Sequence, residues 1–219
     1  MASKSPTNAT LLNQLIDGTA EFELLPSPAK PNNFSFGNRF FARIGSSLSG
    51  GSSDALKKVE RYSVQKVTGD GRCLFRALVK GMAINKGVAL SARNEREDAD
   101  ELRMAVKEVI CDGNEKRQYK EALIAITVDE SLKRYCQRIE RSDFWGGESE
   151  LLVLSKLCHQ PIIVYISEHE HAGGGRGRGN GFIPIAEYGA EFSKASKKVN
   201  PRKAVRLLYS GKNHYDLLN

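Results

Sequence analysis

The chain has 219 residues, in which 33 lysines and arginines outnumber 26 acids for a formal net charge of +7. That length holds one domain with an appendage and a sizeable core, and no stretch reaches the roughly 18–20 apolar residues of a membrane-spanning helix. The positive charge suits weak attraction to acidic surfaces but is spread along the chain, which speaks for a solvated surface and against a nucleic-acid-binding protein.

Residues 1–58 differ in composition from the rest. Thr10–Ile16 can form one short amphipathic helix, Pro26, Pro28 and Pro31 break up the residues after it, and Ser46–Ser53 is a run of serine and glycine with the character of a flexible linker. We read 1–58 as a mostly disordered extension and 59–219 as one folded domain. Arg39, Arg43 and the serines have the flavour of an organellar transit peptide, but Asp17, Glu21 and Glu23 argue against it, because such peptides are poor in acid. No apolar segment of a secretory signal is present either, so the cytoplasm or nucleus is the expected location.

Tyr62–Val67 alternates well enough for a short strand, and Leu74, Ala77, Leu78 and Met82 then recur at helical spacing. Gly69-Asp70-Gly71-Arg72-Cys73 therefore forms a glycine-flanked turn that opens into a helix. Two glycines allow positive φ and leave backbone N–H groups uncovered, and a helix start adds unpaired donors and the positive end of the dipole. A thiol there is expected to ionise more easily than a free one, and the same N–H groups can receive an oxyanion. Cys73 is thus a candidate nucleophile, although cysteines are more often small buried hydrophobes.

From Leu90 to Arg141 the pattern is helical, after a charged connection over Ser91–Asp98. One helix starts at Asp98-Ala99-Asp100-Glu101 and stops at Gly113, a second follows Asn114, and a third runs from Asp129 to Arg141. Cys111 and Cys136 fall in apolar helical stripes and read as core. With Cys73 and Cys158 they are widely spaced and form no CxxC pair, so neither a disulfide scaffold nor a zinc site is indicated. Phe144-Trp145-Gly146-Gly147 precedes a strongly apolar helix over Glu148–Cys158, for which Trp145 reads as the packing anchor. Pro161–Ile166 is a continuous β-branched run and hence a central strand. His159 stands at the turn before it, with no role assigned.

His169 and His171, with Glu168 and Glu170, resemble metal ligands, but beside Gly173–Gly181 a surface loop is the better reading. Its Arg-Gly repeats lack the aromatic residues that stack bases. Phe182–Ile185 reads as a strand. Ala204–Tyr209 and the residues after Gly211-Lys212 form a hairpin. On the second strand of that hairpin His214 and Asp216, two positions apart, share a side. His214 is a lone histidine by its local sequence, yet an aspartate beside an imidazole supplies the base and orienter that a cysteine nucleophile needs.

Three blocks carry a family resemblance: Gly69–Arg76, Phe144–Leu151 (FWGGESEL) and Asn213–Asp216 (NHYD). In order and rough spacing they resemble the ovarian-tumour (OTU) cysteine proteases, over residues 60–218, and look most like the plant OTU-domain deubiquitinases. The resemblance implies a papain-like α/β domain with a small central sheet packed between helices. It implies cleavage at the C-terminal glycine of ubiquitin through a thioester on Cys73, with His214 as general base. Family descriptions count Asp70 in the site; Asp216 is the alternative orienter, and strand geometry favours Asp216, leaving Asp70 to shape the turn. No metal or organic cofactor is implied. The expected partners are ubiquitin and polyubiquitin chains, engaged by a monomer without membrane or nucleic acid. The competing reading is a catalytically weak ubiquitin-binding or RNA-associated scaffold.

Overall fold

The computed structural model describes residues 59–113, 116–168, 181–194, 201–210 and 213–219. The extension 1–58 and the histidine- and glycine-rich stretch 169–180, with His169 and His171, lie outside the described residues, as does the Gly211-Lys212 turn.

Five strands make one mixed sheet: β1 (Val64–Gln65), β2 (Ile162–Ser167), β3 (Phe182–Tyr188), β4 (Val205–Tyr209) and β5 (Tyr215–Leu218), in the order β1-β5-β4-β2-β3. The β4–β5 hairpin is antiparallel with Leu208 opposite Asp216, and β2 runs parallel to β4 with Val164 opposite Leu207. The β-branched run is therefore flanked on both sides, as its composition demands. Pro184, which has no ladder donor, is accommodated because β3 is an edge strand, with a register shift in β2 at Val164/Tyr165.

Strand alternation sends Ile162, Val164, Val205, Leu207, Tyr215 and Leu217 into the main core, with the helices. Tyr165, Leu208 and Leu218 face the other way and pack with Tyr62 and Phe182. The lead-in to β1 crosses this second face. Glu60 bridges to Phe182, Tyr62 meets Tyr165 edge-on at 5.4 Å, and Ser63 exchanges backbone hydrogen bonds with Asn219.

Helix α1 (Cys73–Asn85) lies on the main-core side of β4 and β5. Gly81 permits the approach: a Cβ there would stand 2.4 Å from Val205 Cγ1. Helix α2 spans Ala92–Lys107, starting a turn and a half earlier than its acids suggest. The Ser91 hydroxyl caps it by accepting from the Asn94 N–H at 3.1 Å, and the Ser91–Asp98 stretch read as a connection is helical. A π-helical turn (Glu108–Asp112) and a 3₁₀ turn (Lys116–Tyr119) lead to α3 (Lys120–Asp129), followed by α4 (Leu132–Ile139) and α5 (Glu148–Leu157).

Two expectations are corrected here. Cys111, in the π-helical turn, and Cys136, on α4, are joined as a disulfide with Cα atoms 5.9 Å apart, inside the usual range. Their 25-residue separation carried no signal, because the packing of the turn on α4 brings them together. Phe144, not Trp145, is the anchor. Its buried ring meets Tyr135 edge-on at 5.9 Å beneath the Arg138 guanidinium, while Trp145 is 39% exposed. Among the described residues no helix is long and apolar enough to cross a membrane.

Candidate active site

The turn before α1 is built as the glycines require. Gly71 has φ +83°, and a Cβ on it would press to 3.0 Å on the backbone of Asp143, so both its conformation and its neighbour exclude a side chain. Helix α1 begins at Cys73 itself, and no side chain caps it. Cys73 is buried, its Sγ 3.6 Å from the Asn213 carbonyl, which ties α1 to the residues just before β5.

The thiol is not acidified by this setting alone. Burial pushes Cys73 up, and the Asp70 charge adds to that, against the opposing backbone N–H groups of Tyr215, Leu74 and Cys73. A helix start taken alone predicts the reverse; desolvation, which only the completed fold imposes, overrides it. Ionisation of this sulphur therefore depends on a proton acceptor.

His214 supplies one. Its Nε2 lies 3.1 Å from Asp216 Oδ1, and a carboxylate can only accept, so Nε2 carries the hydrogen and Nδ1 keeps its lone pair. Nδ1 in turn sits over the nucleophile turn, 3.4 Å from where a Cβ on Gly69 would be. The nitrogen with a free lone pair is thus on the side of Gly69, four residues before Cys73.

Asp216 is fully buried and well provided with donors. Oδ1 also accepts the Val67 N–H at 2.9 Å, and Oδ2 accepts Lys66 Nζ at 2.9 Å. Burial works to raise its pKa, but the bonds from Lys66, Val67 and His214 outweigh it and hold the carboxyl below its usual range. Asp70 is engaged elsewhere. It accepts Arg76 Nη2 at 2.7 Å and the Arg72 N–H at 3.2 Å. Burial opposes its ionisation, yet those arginine bonds keep its pKa low. Of the two aspartates it is Asp216 that touches the imidazole, while Asp70 locks the turn to α1. Arg72 also bonds Asp100, and Arg76 also bonds Glu95, so α2 braces the same turn.

The loop on the other flank is fixed from below. Buried Glu150 accepts the Tyr135 hydroxyl and the Gly147 N–H, both at 2.6 Å, and a Cβ on Gly146 would meet the Phe75 ring of α1 at 3.2 Å. Arg103 donates to the Arg141 carbonyl, just ahead of the Asp143 backbone that packs on Gly71. His159, with φ +48°, stacks edge-on against Phe192. Among the described residues no group of three or more His, Cys, Asp or Glu side chains could hold a metal ion. Lys66 and the Val67 N–H were not singled out in the sequence, since nothing in Gln65-Lys66-Val67 marks them; the pairing of β1 with β5 delivers them to Asp216.

Residues 68–215 match the sequence profile of the OTU-like cysteine proteases. The chain belongs to this family. It is 62% identical, over the full length of both chains, to OVARIAN TUMOR DOMAIN-containing deubiquitinating enzyme 3 of Arabidopsis thaliana. It is 35% identical to deubiquitinating enzyme 4 of the same series and plant, over 72% of this chain and 43% of that one. A solved structure of the Hazara virus OTU bound to ubiquitin is similar at 22% identity and TM-score 0.48, over 79% of this chain and 97% of that one. The α/β domain described above is thus an OTU domain, and the blocks that carried the resemblance, Gly69–Arg76 and Asn213–Asp216, meet in it around Cys73.

Proposed function

We propose that this OTU protease is a deubiquitinating enzyme, hydrolysing peptide and isopeptide bonds at the C-terminal glycine of ubiquitin, with Cys73 as nucleophile, His214 as general base and Asp216 as orienter. The observation that carries the reading is the polarity of the imidazole: Nε2 is committed to buried Asp216, and Nδ1 is turned to the Cys73 turn. The name of the Arabidopsis relative that matches from end to end supports the substrate.

His214 Nδ1 takes the thiol proton as the sulphur attacks the glycine carbonyl, which compensates for the burial that keeps the resting thiol protonated. Asp216 stabilises the imidazolium that results. The N–H of Cys73, at the open start of α1, faces the developing oxyanion; the Arg72 N–H is already given to Asp70. The imidazolium then protonates the departing amine, and water hydrolyses the thioester. No metal or organic cofactor enters these steps. Ubiquitin and its chains are the partners, and the monomer in cytoplasm or nucleus is the working form.

The test is a ubiquitin probe with a C-terminal electrophile, together with hydrolysis of a fluorogenic ubiquitin C-terminal amide. Cys73 is labelled, and Cys73→Ser loses nearly all turnover because a hydroxyl is far less acidic than a thiol. An unlabelled protein, or an active Cys73→Ser, overturns the reading and leaves the scaffold.

A further inference from the structure

We propose that Lys66 is a positioning residue for this site, its ammonium setting how strongly the Asp216 carboxylate holds the His214 side of the site and so the pH range in which the enzyme works. The inference rests on the mechanism above. Its starting point is an asymmetry: Asp216 is wholly buried, whereas the Lys66 side chain that meets its Oδ2 at 2.9 Å is 79% exposed. A buried anion is thus met from the solvent side by a largely exposed cation. Val67 alone, through its N–H on Oδ1, already fixes the carboxylate's position, so the lysine's contribution is charge more than geometry.

The remaining groups around the pair do not duplicate it. The Cys73 thiol lies at the Asn213 carbonyl, next to His214, and Asp70 acts on Cys73 but is itself tied to Arg72 and Arg76. On β4, Arg206 sits over the Tyr62 ring at 5.1 Å. Tyr215, between His214 and Asp216, turns into the main core, where its ring lies 5.3 Å from Tyr209. Among the described residues Lys66 is the one lysine or arginine hydrogen-bonded to Asp216. Removing its charge leaves more of the carboxylate's field for the imidazolium. The imidazolium that forms on His214 during turnover is then held more strongly by Asp216.

The experiment is the pH profile of kcat/KM on a fluorogenic ubiquitin C-terminal amide for wild type, Lys66→Met and Lys66→Arg. Lys66→Met is expected to displace its limbs to higher pH by about half a unit, the scale of one solvent-screened charge a few ångströms away. Lys66→Arg keeps the wild-type profile, and high salt narrows the difference between Met and wild type because the charge is exposed. A Lys66→Met profile that lowers the rate without moving either limb, or an Arg variant displaced as far as Met, overturns the inference. Either result, with Cys73→Ser inert, leaves the protease reading standing; an active Cys73→Ser removes that reading first.

Discussion

Replacing Asp216 with alanine separates the two things this carboxylate does. Three donors lose their acceptor: Val67 N–H, His214 Nε2 and Lys66 Nζ. The lysine returns to water at little cost. The Val67 N–H belongs to a buried residue, and an unsatisfied buried donor costs about 1–3 kcal/mol, or roughly 2–12 °C in Tm for a domain of this size. Catalysis suffers more, because the imidazole loses both its tautomer and its counter-charge, and kcat/KM on a ubiquitin C-terminal amide should fall by about 10²–10⁴. The stability gap to wild type also has a definite pH dependence. Burial opposes ionisation of Asp216, but Lys66, Val67 and His214 hold its folded pKa below the ordinary 3.8. Its contribution is therefore fully present above that value and lost as pH falls through the folded one. Thermal melts should show a constant gap from neutral pH to mild acid that closes only in stronger acid. The companion Asp70→Ala releases Arg72 and Arg76 and lets the Cys73 thiol become more acidic, with a smaller loss of turnover. An Asp216→Ala enzyme within twofold of wild type beside an inert Asp70→Ala would refute this assignment of roles.

Gly81→Ala places a methyl 2.4 Å from Val205 Cγ1 and 3.0 Å from Leu217 Cδ1, neither on a side chain long enough to swing aside. The expected cost is about 1–3 kcal/mol, with reduced kcat because α1 carries Cys73; an unchanged Tm would show that the helix does not lie this close. Opening Cys111–Cys136 releases a constraint spanning 25 residues, worth about 3.5 kcal/mol in the chain-entropy account. Reductant should then lower the Tm of wild type and leave that of a Cys111→Ser/Cys136→Ser variant unmoved, and equal responses of the two proteins would mean that the bond is not formed.

Much of the fold could be read from local pattern. The β-branched run 162–166, the two strands on either side of Gly211 and the helices after Cys73 and Glu148 each have a composition or a period that points to one kind of element. The pairing of His214 with Asp216 was legible for the same reason, since two positions along a strand face alike. What escaped was set by tertiary context. The first turn and a half of α2 is so charged that it resembles a loop, until Glu95 is seen paired with Arg76 and Lys80. Phe144 and Trp145 are neighbours with opposite fates, decided by the Tyr135 ring waiting on α4. The ionisation of Cys73 runs against its local sequence because a helix terminus is visible there, whereas desolvation is a property of the assembled core.

The lead-in that runs from Glu60 across the back of the sheet marks a limit for trimming the protein. A form shortened to residue 59 keeps the Glu60–Phe182 bridge, the Tyr62–Tyr165 contact and the Ser63–Asn219 bonds. One cut after Val67 would strip β1 from β5 and leave the aspartate behind the histidine open to water. The boundary of a minimal active fragment is therefore dictated by the chemistry of residue 216, at the opposite end of the polypeptide.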